Sequence, residues 1–355
     1  MKNKEYIDYY YENIKIDKNN AIEVWKKLRK NKINYFSLGL IYSFKYIYLN
    51  IKESFRYILH FIKIYIKLFI NYLIISIKFN KVKLKKFDIK SDVETIEKIV
   101  NEGCSIARFG DGEFKWILGI KQKSFQQDSD ELSIRLEEVL KNIDNDLCLI
   151  GINDNLNSLK EYNIHAKYYW KDFLVKYHSQ LYDLLPDRQY VKSNITRPYM
   201  DYKNKNRKVV QDRFDNLRRI WNDKDVIIVE GEFTKLGIGN DLFNNCKSIK
   251  RIICPATDAF SKYNEIVSAV RKQNKNKLIL MALGPTATVL AYDMSKEGYQ
   301  CIDIGHIDIE YMWFLSGTKN KDEISGKYVN EACNNISEEY EIDEKYLNEI
   351  IFKIL

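Results

Sequence analysis

From residue 91 onward, short apolar runs alternate with amphipathic helical stretches, and this alternation restricts the fold more than any other feature of the sequence. Such runs are apolar at nearly every position, so both faces of each strand should be buried, as is typical of a parallel sheet. The sequence therefore predicts an α/β domain with a Rossmann-like, mostly parallel sheet and helices on both faces. The predicted strands are CSIARF, DLCLIGI, VIIVEGE, RIICP, KLILMALG and YQCIDIG.

The first 90 residues differ from the rest of the chain in charge and composition. They carry 20 lysines and arginines against 7 acidic residues, and residues 1–102 contain a single glycine and no proline. We therefore expect residues 1–90 to form a basic, amphipathic helical region. The domain should occupy residues 91–320, and residues 321–355 should form a helical tail packed on it.

Residues 57–79 are apolar except for a narrow polar stripe at helical spacing. Lysine interrupts this stretch too often for a transmembrane span of about 20 apolar residues. A helix lying on an anionic membrane surface is the favoured interpretation. A helical hairpin packed on the following domain, or on a second subunit in a homo-oligomer, is the alternative.

Cysteine usage and the N-terminus bear on the compartment. The six cysteines are widely spaced, with no Cys-x-x-Cys pair, and the first residues contain no secretory signal. We therefore expect a cytoplasmic protein, peripheral at the inner face of the cell membrane if the basic region binds lipid. The chain from residue 91 onward is slightly acidic, which argues against nucleic acid as a partner.

The segment SIARFGDGEF carries two glycines and two acids directly after a predicted strand. The carboxyl ends of parallel strands share one edge of the sheet, and ligands bind at that edge. Carboxylate oxygens suit Mg²⁺ or Mn²⁺, which makes Asp111 and Glu113 candidate metal ligands in a loop. A tight acidic turn is the alternative interpretation.

Two further strand ends carry residues suited to binding phosphate. Gly237 and Gly239 precede Asn240 and Asp241 at a predicted helix start, where backbone N–H groups could approach an anion. In LGPTATVLAYD, Pro285 suits the first helical turn, and the threonine hydroxyls suit capping as well as they suit a ligand. Arg197 precedes Pro198 and could pair with a phosphate or with a structural carboxylate.

The segment DIGHIDIEYMWF carries three alternating ionisable residues after the last predicted strand. If the strand continues, His306, Asp308 and Glu310 share one face. Three ionisable side chains beside a buried apolar run are costly to desolvate unless they bind something, so we expect them to bind a ligand. A solvated edge strand is the alternative.

Several enzyme classes lack support in the sequence. There is no Gly-x-Ser-x-Gly elbow for acyl transfer, no zinc-ligand spacing, and neither a Walker loop nor a dinucleotide-binding fingerprint. Carboxylates, glycine-lined loops and a few cations at one sheet edge instead describe a site for a metal-bound pyrophosphate.

Five motifs, taken in order, resemble those of bacterial GT-D-fold glycosyltransferases: SIARFGDGEF, TRPYMD, EGEFTKLGIGNDLF, LGPTATVLAYD and DIGHIDIEYMW. The resemblance implies a metal-dependent hexosyltransferase whose Asp-x-Glu motif, Asp111-Gly112-Glu113, holds Mn²⁺ or Mg²⁺ against the diphosphate of a UDP-sugar. It also implies a glycan acceptor, lipid-linked or protein-linked, in the synthesis of surface polysaccharides or glycoproteins.

The sugar transfer that the resemblance implies needs a base to remove the proton of the acceptor hydroxyl, and metal-bound carboxylates have little basicity to offer. We expect Asp308 to be that base, with His306 and Glu310 binding donor or acceptor, although an imidazole could serve equally well.

The motifs of the resemblance also supply candidate donor-binding residues. At Lys235 we expect an arginine in relatives, and lysine keeps the charge but loses bidentate geometry. A metal-dependent nucleotide or phosphoester hydrolase, and a membrane-bound scaffold without activity, are the competing functions. The candidates for binding the nucleotide sugar are Arg108, Gly110, Arg197, Lys235, Gly237, Gly239, Asn240, Asp241, Gly284, Thr286 and Thr288.

Overall fold

Nine strands pair in parallel to form one sheet within the residues that the structure, a computed structural model, describes: 51–122, 126–329 and 344–354. Their order across the sheet is β1-β4-β3-β2-β8-β7-β5-β6-β9. This arrangement confirms the predicted Rossmann-like parallel sheet. The strands are β1 (Asp88–Ile89), β2 (Ser105–Arg108), β3 (Cys148–Ile152), β4 (Gln189–Lys192), β5 (Asp225–Gly231), β6 (Ser248–Cys254), β7 (Leu278–Ala282), β8 (Gln300–Asp303) and β9 (Ile350–Lys353).

Burial on both faces of the sheet explains why the strands are continuously apolar. In β5, Val226 and Ile228 join one core cluster, whereas Ile227 and Val229 join the cluster on the opposite face. Successive side chains of a strand point to opposite faces, so an apolar residue is needed at each position.

Helices cover the sheet between most strands. A capping box begins the helix α2 (Asp92–Asn101): the Glu94 N–H donates to Ser91 Oγ at 3.3 Å, and the Ser91 N–H donates to Glu94 Oε2 at 2.9 Å. The described helices are α1 (Ile51–Phe79), α2 (Asp92–Asn101), α3 (Asp111–Ile117), α4 (Asp130–Lys141), α5 (Ile164–Leu184), α6 (Arg207–Arg218), α7 (Tyr263–Arg271), α8 (Pro285–Lys296), α9 (Ile307–Ser316) and α10 (Glu344–Glu349).

The chain divides into two units, residues 1–77 and 78–355. The boundary predicted at residue 90 therefore falls inside the second unit. The reason is that Asp88–Ile89 pairs with β4 and Phe87 is buried in the core. Of the predicted basic region, residues 1–50 lie outside the described residues.

Helix α1 presents large apolar side chains to solvent. Phe69 and Ile77 are 61% and 60% exposed. In the described part of the chain, no helix combines the length and hydropathy needed to cross a bilayer. The other exposed apolar residues of α1 are Ile62, Tyr65, Ile66, Leu68, Ile70, Leu73 and Ile74.

In the described part of residues 321–355, where a helical tail was predicted, the chain forms a helix and then a strand that joins the sheet. Helix α10 leads directly into β9, which pairs in parallel with β6. The buried Arg251 side chain fixes this arrangement, because its guanidinium bonds Glu349 at 2.7 Å and Glu230 at 2.6 Å. The tertiary ion pairs thus attach this segment at the sheet edge.

Candidate active site

The sheet changes its connection order between β2 and β8. From β2 the chain runs outward through β3 to β4, whereas β8 lies on the other side of β2. In parallel sheets ligands bind at such a point, beyond the carboxyl ends of the strands, and we call this edge between β2 and β8 the crevice. Most of the predicted site residues follow β2, β4, β5 or β8 and therefore lie at this edge.

Asp111 is the first residue of α3, directly beyond β2. Its side chain is 37% exposed, and Oδ2 accepts a hydrogen bond from Lys115 Nζ at 2.8 Å and another from the Tyr169 hydroxyl. Partial burial raises the pKa of Asp111, but Lys115, Tyr169 and Arg197 together outweigh that effect and bring it below the usual value. Asp111 is thus an ionised carboxylate at the crevice.

Glu113 lies in the same helical turn, so the predicted acidic loop is in fact a helix start. Its Oε2 accepts a hydrogen bond from the Gly110 N–H at 2.8 Å, the contact that a glutamate three residues beyond an N-cap makes. Burial raises the pKa of Glu113, which this hydrogen bond partly offsets. One carboxylate oxygen of Glu113 therefore serves the helix itself.

Arg108, at the end of β2, connects three elements of the sheet edge. Its Nη2 donates to Asp303 Oδ1 at 2.7 Å and its Nε to the Asp303 carbonyl at 2.6 Å, while its Nη1 donates to Thr196 Oγ1 at 2.6 Å. A Cβ on Gly305 would lie 2.2 Å from Arg108 Nη2, so a side chain there would displace the guanidinium. The Arg108 side chain thus links β2 to β8 and to the segment after β4.

The segment beginning at His306 is a helix, and the extended conformation expected for it is wrong. His306 is the N-cap of α9, and Asp308 and Glu310 lie in the first turn, where they point in different directions. The three side chains therefore do not share a face. His306 is partly exposed at the sheet edge, whereas Asp308 and Glu310 are buried.

Asp308 is enclosed by hydrogen-bond donors. Its Oδ1 accepts from the Gly237 N–H at 2.9 Å and from Asn240 Nδ2 at 2.7 Å, and its Oδ2 accepts from Lys327 Nζ. Lys327 is itself buried, so the two charges neutralise each other out of solvent. These contacts leave Asp308 little capacity to take a proton from a substrate.

Glu310 has a different environment. Its Oε2 accepts from the backbone N–H groups of Tyr199 and Met200 at 2.9 and 2.8 Å, while Oε1 is buried without a hydrogen-bond partner. Burial raises the pKa of Glu310 to about 7, and the nearby Asp201 carboxylate adds to the rise, while Arg197 opposes it. Arg197 also lowers the pKa of Asp111, so the same guanidinium favours the ionised form of both carboxyl groups.

The glycine-rich segment after β5 forms turns, and the helix predicted there is absent from residues 232–247. Gly237 and Gly239 have φ values of 74° and 78°, and a Cβ on Gly237 would lie 2.6 Å from the Phe243 ring. Lys235 takes a left-handed conformation in the same segment, with φ of 46°. Asp241 accepts from the Tyr311 hydroxyl at 2.7 Å and pairs with Arg218 at 3.0 Å.

The threonines of α8 face the protein interior. Pro285 occupies the first turn as predicted, after Gly284, whose φ of 56° and ψ of −140° suit only glycine. Thr288 Oγ1 donates to the Arg108 carbonyl at 3.0 Å, and Thr286 Oγ1 contacts Gln126 Oε1 at 3.4 Å. Both hydroxyls therefore support the sheet edge from within.

The domain that carries these residues matches a known protein family. The family model described as the glycosyltransferase GT-D fold matches residues 106–332, more than half of the chain. The chain belongs to this family of glycosyltransferases. The motifs that resembled GT-D enzymes in the sequence lie almost entirely within the matched range.

Two curated relatives of this GT-D chain are streptococcal proteins. The probable glycosyl transferase Gly of Streptococcus gordonii is 38% identical over 267 residues, which are 75% of this chain and 39% of the relative. Glycosyltransferase GlyD of Streptococcus pneumoniae serotype 4 (strain ATCC BAA-334 / TIGR4) is 35% identical over 267 residues, 75% of this chain and 32% of the relative. The chain thus spans less than half the length of the curated relatives it matches.

Two solved structures share the fold, each with a TM-score of 0.72. One is described as the highly conserved domain of unknown function 1792 with a distinct glycosyltransferase fold. Its sequence is 34% identical, and the match covers 76% of this chain and 97% of the solved chain. The other is a new glycosyltransferase (DUF1792) from Streptococcus sanguinis, 36% identical, with coverage of 76% and 100%.

The side chains of this GT-D domain offer few ligands to a divalent cation. Among the described residues, no three His, Cys, Asp or Glu side chains converge in a way that could hold a metal. Mg²⁺ needs fewer protein ligands in phosphate sites, since one or two carboxylates suffice when the substrate phosphates and water complete the shell. Asp111, partly exposed and ionised at the crevice, fits that pattern, and Glu113 can add an oxygen beyond the one that binds Gly110.

Several residues of the GT-D crevice were missed by the sequence analysis. Lys115 could be recognised from the sequence, because it lies four residues after Asp111. The two side chains face each other on a helix capped by Gly110. Tyr169 and Asp303 have no local signal, since each reaches its partner from a distant part of the chain. Lys327 is likewise brought to Asp308 only by the fold.

Proposed function

We propose that the protein is a hexosyltransferase that uses Mn²⁺ or Mg²⁺ and transfers a sugar from a UDP-sugar to a glycan acceptor. The observation that carries this proposal is the ionised Asp111 at the β2–β8 crevice of a GT-D domain. The acceptor belongs, in this proposal, to surface polysaccharide or glycoprotein synthesis.

In this proposal Asp111, assisted by Glu113, holds the cation, and Arg197 faces the donor phosphates. The metal, when bound, supplies positive charge that offsets the charge building on the leaving diphosphate. Arg197 supplies a further positive charge, which already lowers the pKa of both Asp111 and Glu310. The segment 233–241 borders the donor in this proposal, and Asp308 holds that segment in place through Gly237 and Asn240.

The acceptor hydroxyl needs a base, and we assign that role to His306 in place of Asp308. Asp308 is saturated by Gly237, Asn240 and Lys327, and Glu310 is wholly buried. His306 is the partly exposed member of the three, at the junction of β8 and α9. Imidazole is the side chain most often used for general-base catalysis.

The test of this function is a panel of nucleotide sugars with Mn²⁺, scored for release of nucleotide diphosphate with and without a glycan acceptor. A transferase releases the diphosphate from one donor in an acceptor-dependent manner. Acceptor-independent turnover would instead establish the hydrolase, and no turnover across donors and acceptors, with nucleotide still bound, would favour the scaffold.

Asp111→Asn should bind UDP in the presence of Mn²⁺ no better than the parent binds UDP without metal. The substitution keeps the shape of the helix start but removes the anionic ligand that the cation requires. Calorimetric titration of UDP with and without Mn²⁺ measures the effect. An unchanged dependence on metal would leave Asp111 with a purely structural role at the start of α3.

We further propose that α1 binds an anionic membrane at its cytoplasmic face. From residue 54 to residue 87 the chain carries eight lysines and arginines and no acidic residue, and α1 exposes the apolar side chains described above. An interfacial helix combines these two properties, and each cation near such a surface contributes on the order of 1 kcal/mol.

Phe69→Glu should weaken binding to phosphatidylserine vesicles by roughly tenfold or more, because burying a phenylalanine contributes about 1.5–3 kcal/mol. The matched control is Ile134→Glu on α4, at a residue that is also highly exposed, 57% against 61% for Phe69. Vesicle sedimentation of the full chain measures binding. Equal binding by the two variants would contradict the membrane proposal and leave a protein partner as the occupant of α1.

A further inference from the structure

Lys115 places a positive charge directly beside the Asp111 carboxylate. Its Nζ lies 2.8 Å from Asp111 Oδ2 and donates to the Tyr169 hydroxyl at 2.6 Å. The same ammonium lies 5.2 Å from the centre of the Tyr169 ring and 5.7 Å from that of Phe173. The lysine is thus held on the carboxylate by one ion pair, one hydrogen bond and two aromatic faces.

This arrangement differs from an ordinary pair of charges four residues apart on a helix surface. Such pairs are weak and mobile in solvent. Here Tyr169, from α5, donates to the same oxygen that Lys115 contacts, so two donors from two helices converge on Asp111 Oδ2. A divalent cation that approaches this carboxylate meets an ammonium already in place.

We infer that Lys115 is a positioning residue that keeps Asp111 from binding a divalent cation until the cation arrives with the donor diphosphate. The inference rests on the proposed metal site at Asp111. A lone cation must compete with Lys115 for Asp111 and gains few other protein ligands among the described residues. A cation bound to a diphosphate brings phosphate oxygens with it, and the added negative charge gives the ammonium a second partner.

The consequence is an order of loading. Metal binding to the free protein is weak, and the nucleotide strengthens it. The free enzyme therefore does not retain a cation between turnovers, and metal and nucleotide enter together.

Lys115→Met tests this inference, because methionine keeps the length and the packing on the aromatic rings while removing the charge. We expect Mn²⁺, titrated without nucleotide, to bind this variant on the order of tenfold more tightly, since a positive charge a few ångströms away no longer repels it. The gain in Mn²⁺ affinity on adding UDP should shrink accordingly. Free Mn²⁺ is followed by its electron paramagnetic resonance signal, which requires no turnover.

Two controls separate charge competition from other effects. Lys115→Arg keeps a cation beside Asp111 and should bind Mn²⁺ like the parent. Lys176→Met removes a lysine that pairs with Asp172 at the same four-residue spacing on α5, and it should also leave Mn²⁺ binding unchanged. Circular dichroism and thermal unfolding confirm that each variant is folded.

Asp111→Asn distinguishes failure of this inference from failure of the proposed function. If Asp111→Asn loses Mn²⁺ binding with UDP while Lys115→Met binds Mn²⁺ no better than the parent, the metal site stands and the role of Lys115 is overturned. If Asp111→Asn binds Mn²⁺ with UDP like the parent, the proposed metal site itself is wrong. Tighter binding by Lys115→Met together with loss in Asp111→Asn supports both.

Discussion

His306→Gln is expected to lower the turnover number by about 10²- to 10⁴-fold, the usual effect of losing a general base. Glutamine preserves a polar group of similar reach at the N-cap of α9 but cannot accept the proton of the acceptor hydroxyl. Because His306 is partly exposed and lies at the helix start, the fold should tolerate the change. UDP affinity with Mn²⁺ should remain close to that of the parent.

Asp308→Asn is the informative comparison for this prediction. Its neutral amide would leave the buried Lys327 ammonium without a counter-charge and would alter the contacts to Gly237 and Asn240. We therefore expect a lower melting temperature and weaker donor binding from this variant, two effects that His306→Gln should not show. The pair of variants separates chemistry from positioning.

The measurement is steady-state turnover at saturating donor, set beside calorimetric UDP affinity and thermal unfolding. Turnover by His306→Gln at the parental rate would remove His306 from the chemistry. A large loss in Asp308→Asn with unchanged stability and donor affinity would restore Asp308 as the base, as the sequence alone suggested.

The sheet was predictable because its signal is distributed over many residues. In β5 and β7 almost every side chain enters a core on one face or the other, so the runs are apolar throughout and their alternation with helices indicates a parallel sheet. The position of Asp111 followed from the same reasoning, since the end of β2 fixes the edge of the sheet at which it lies.

Residues 306–310 (HIDIE) show where a secondary-structure prediction from local pattern fails. Five residues of alternating character fit a strand as well as a short stretch of a buried helix, and periodicity over so few positions cannot separate them. In α9 the polar members are accommodated by specific buried partners, Lys327 for Asp308 and two backbone N–H groups for Glu310. Those partners are remote in sequence, so the segment itself carries no signal that predicts them.

The segment after β5 was mispredicted for a related reason. Gly-Asn-Asp resembles a helix start, but the chain there forms turns. Backbone N–H groups of these turns donate to side chains outside the segment. Leu236 N–H donates to Glu230 at 2.6 Å, and Gly237 N–H donates to Asp308. Buried carboxylates from β5 and α9 replace the hydrogen bonds that a helix would have supplied.

The Arg251 ion-pair network connects this segment to the end of the chain. Arg251 bridges Glu230 of β5 and Glu349 of α10, and its guanidinium lies 4.9 Å from the centre of the Tyr346 ring. Glu230 is fully buried and holds Leu236 with its second oxygen. Burial raises the pKa of Glu230, and Arg251 opposes that rise.

Arg251→Met is therefore expected to lower the free energy of unfolding by about 3–5 kcal/mol, the cost of removing one partner from a buried ion pair. Methionine fills much of the space of the arginine stem but leaves Glu230 without a counter-charge. The matched control is Arg271→Met, which breaks the exposed pair with Glu297 and should cost at most about 1 kcal/mol. Urea unfolding of both variants measures the difference.

The pH dependence of Arg251→Met gives a second, independent readout. A carboxyl group whose pKa is higher in the folded than in the unfolded state binds more protons when folded, so its effect on stability becomes less unfavourable as the pH falls. The deficit of Arg251→Met relative to the parent should therefore shrink between pH 7 and pH 5, because protonation removes the unpaired charge of Glu230. A deficit that stays constant with pH, or one no larger than that of Arg271→Met, would show that the cost arises from packing alone and that the ion pairs do not hold β9 and the segment after β5 in place.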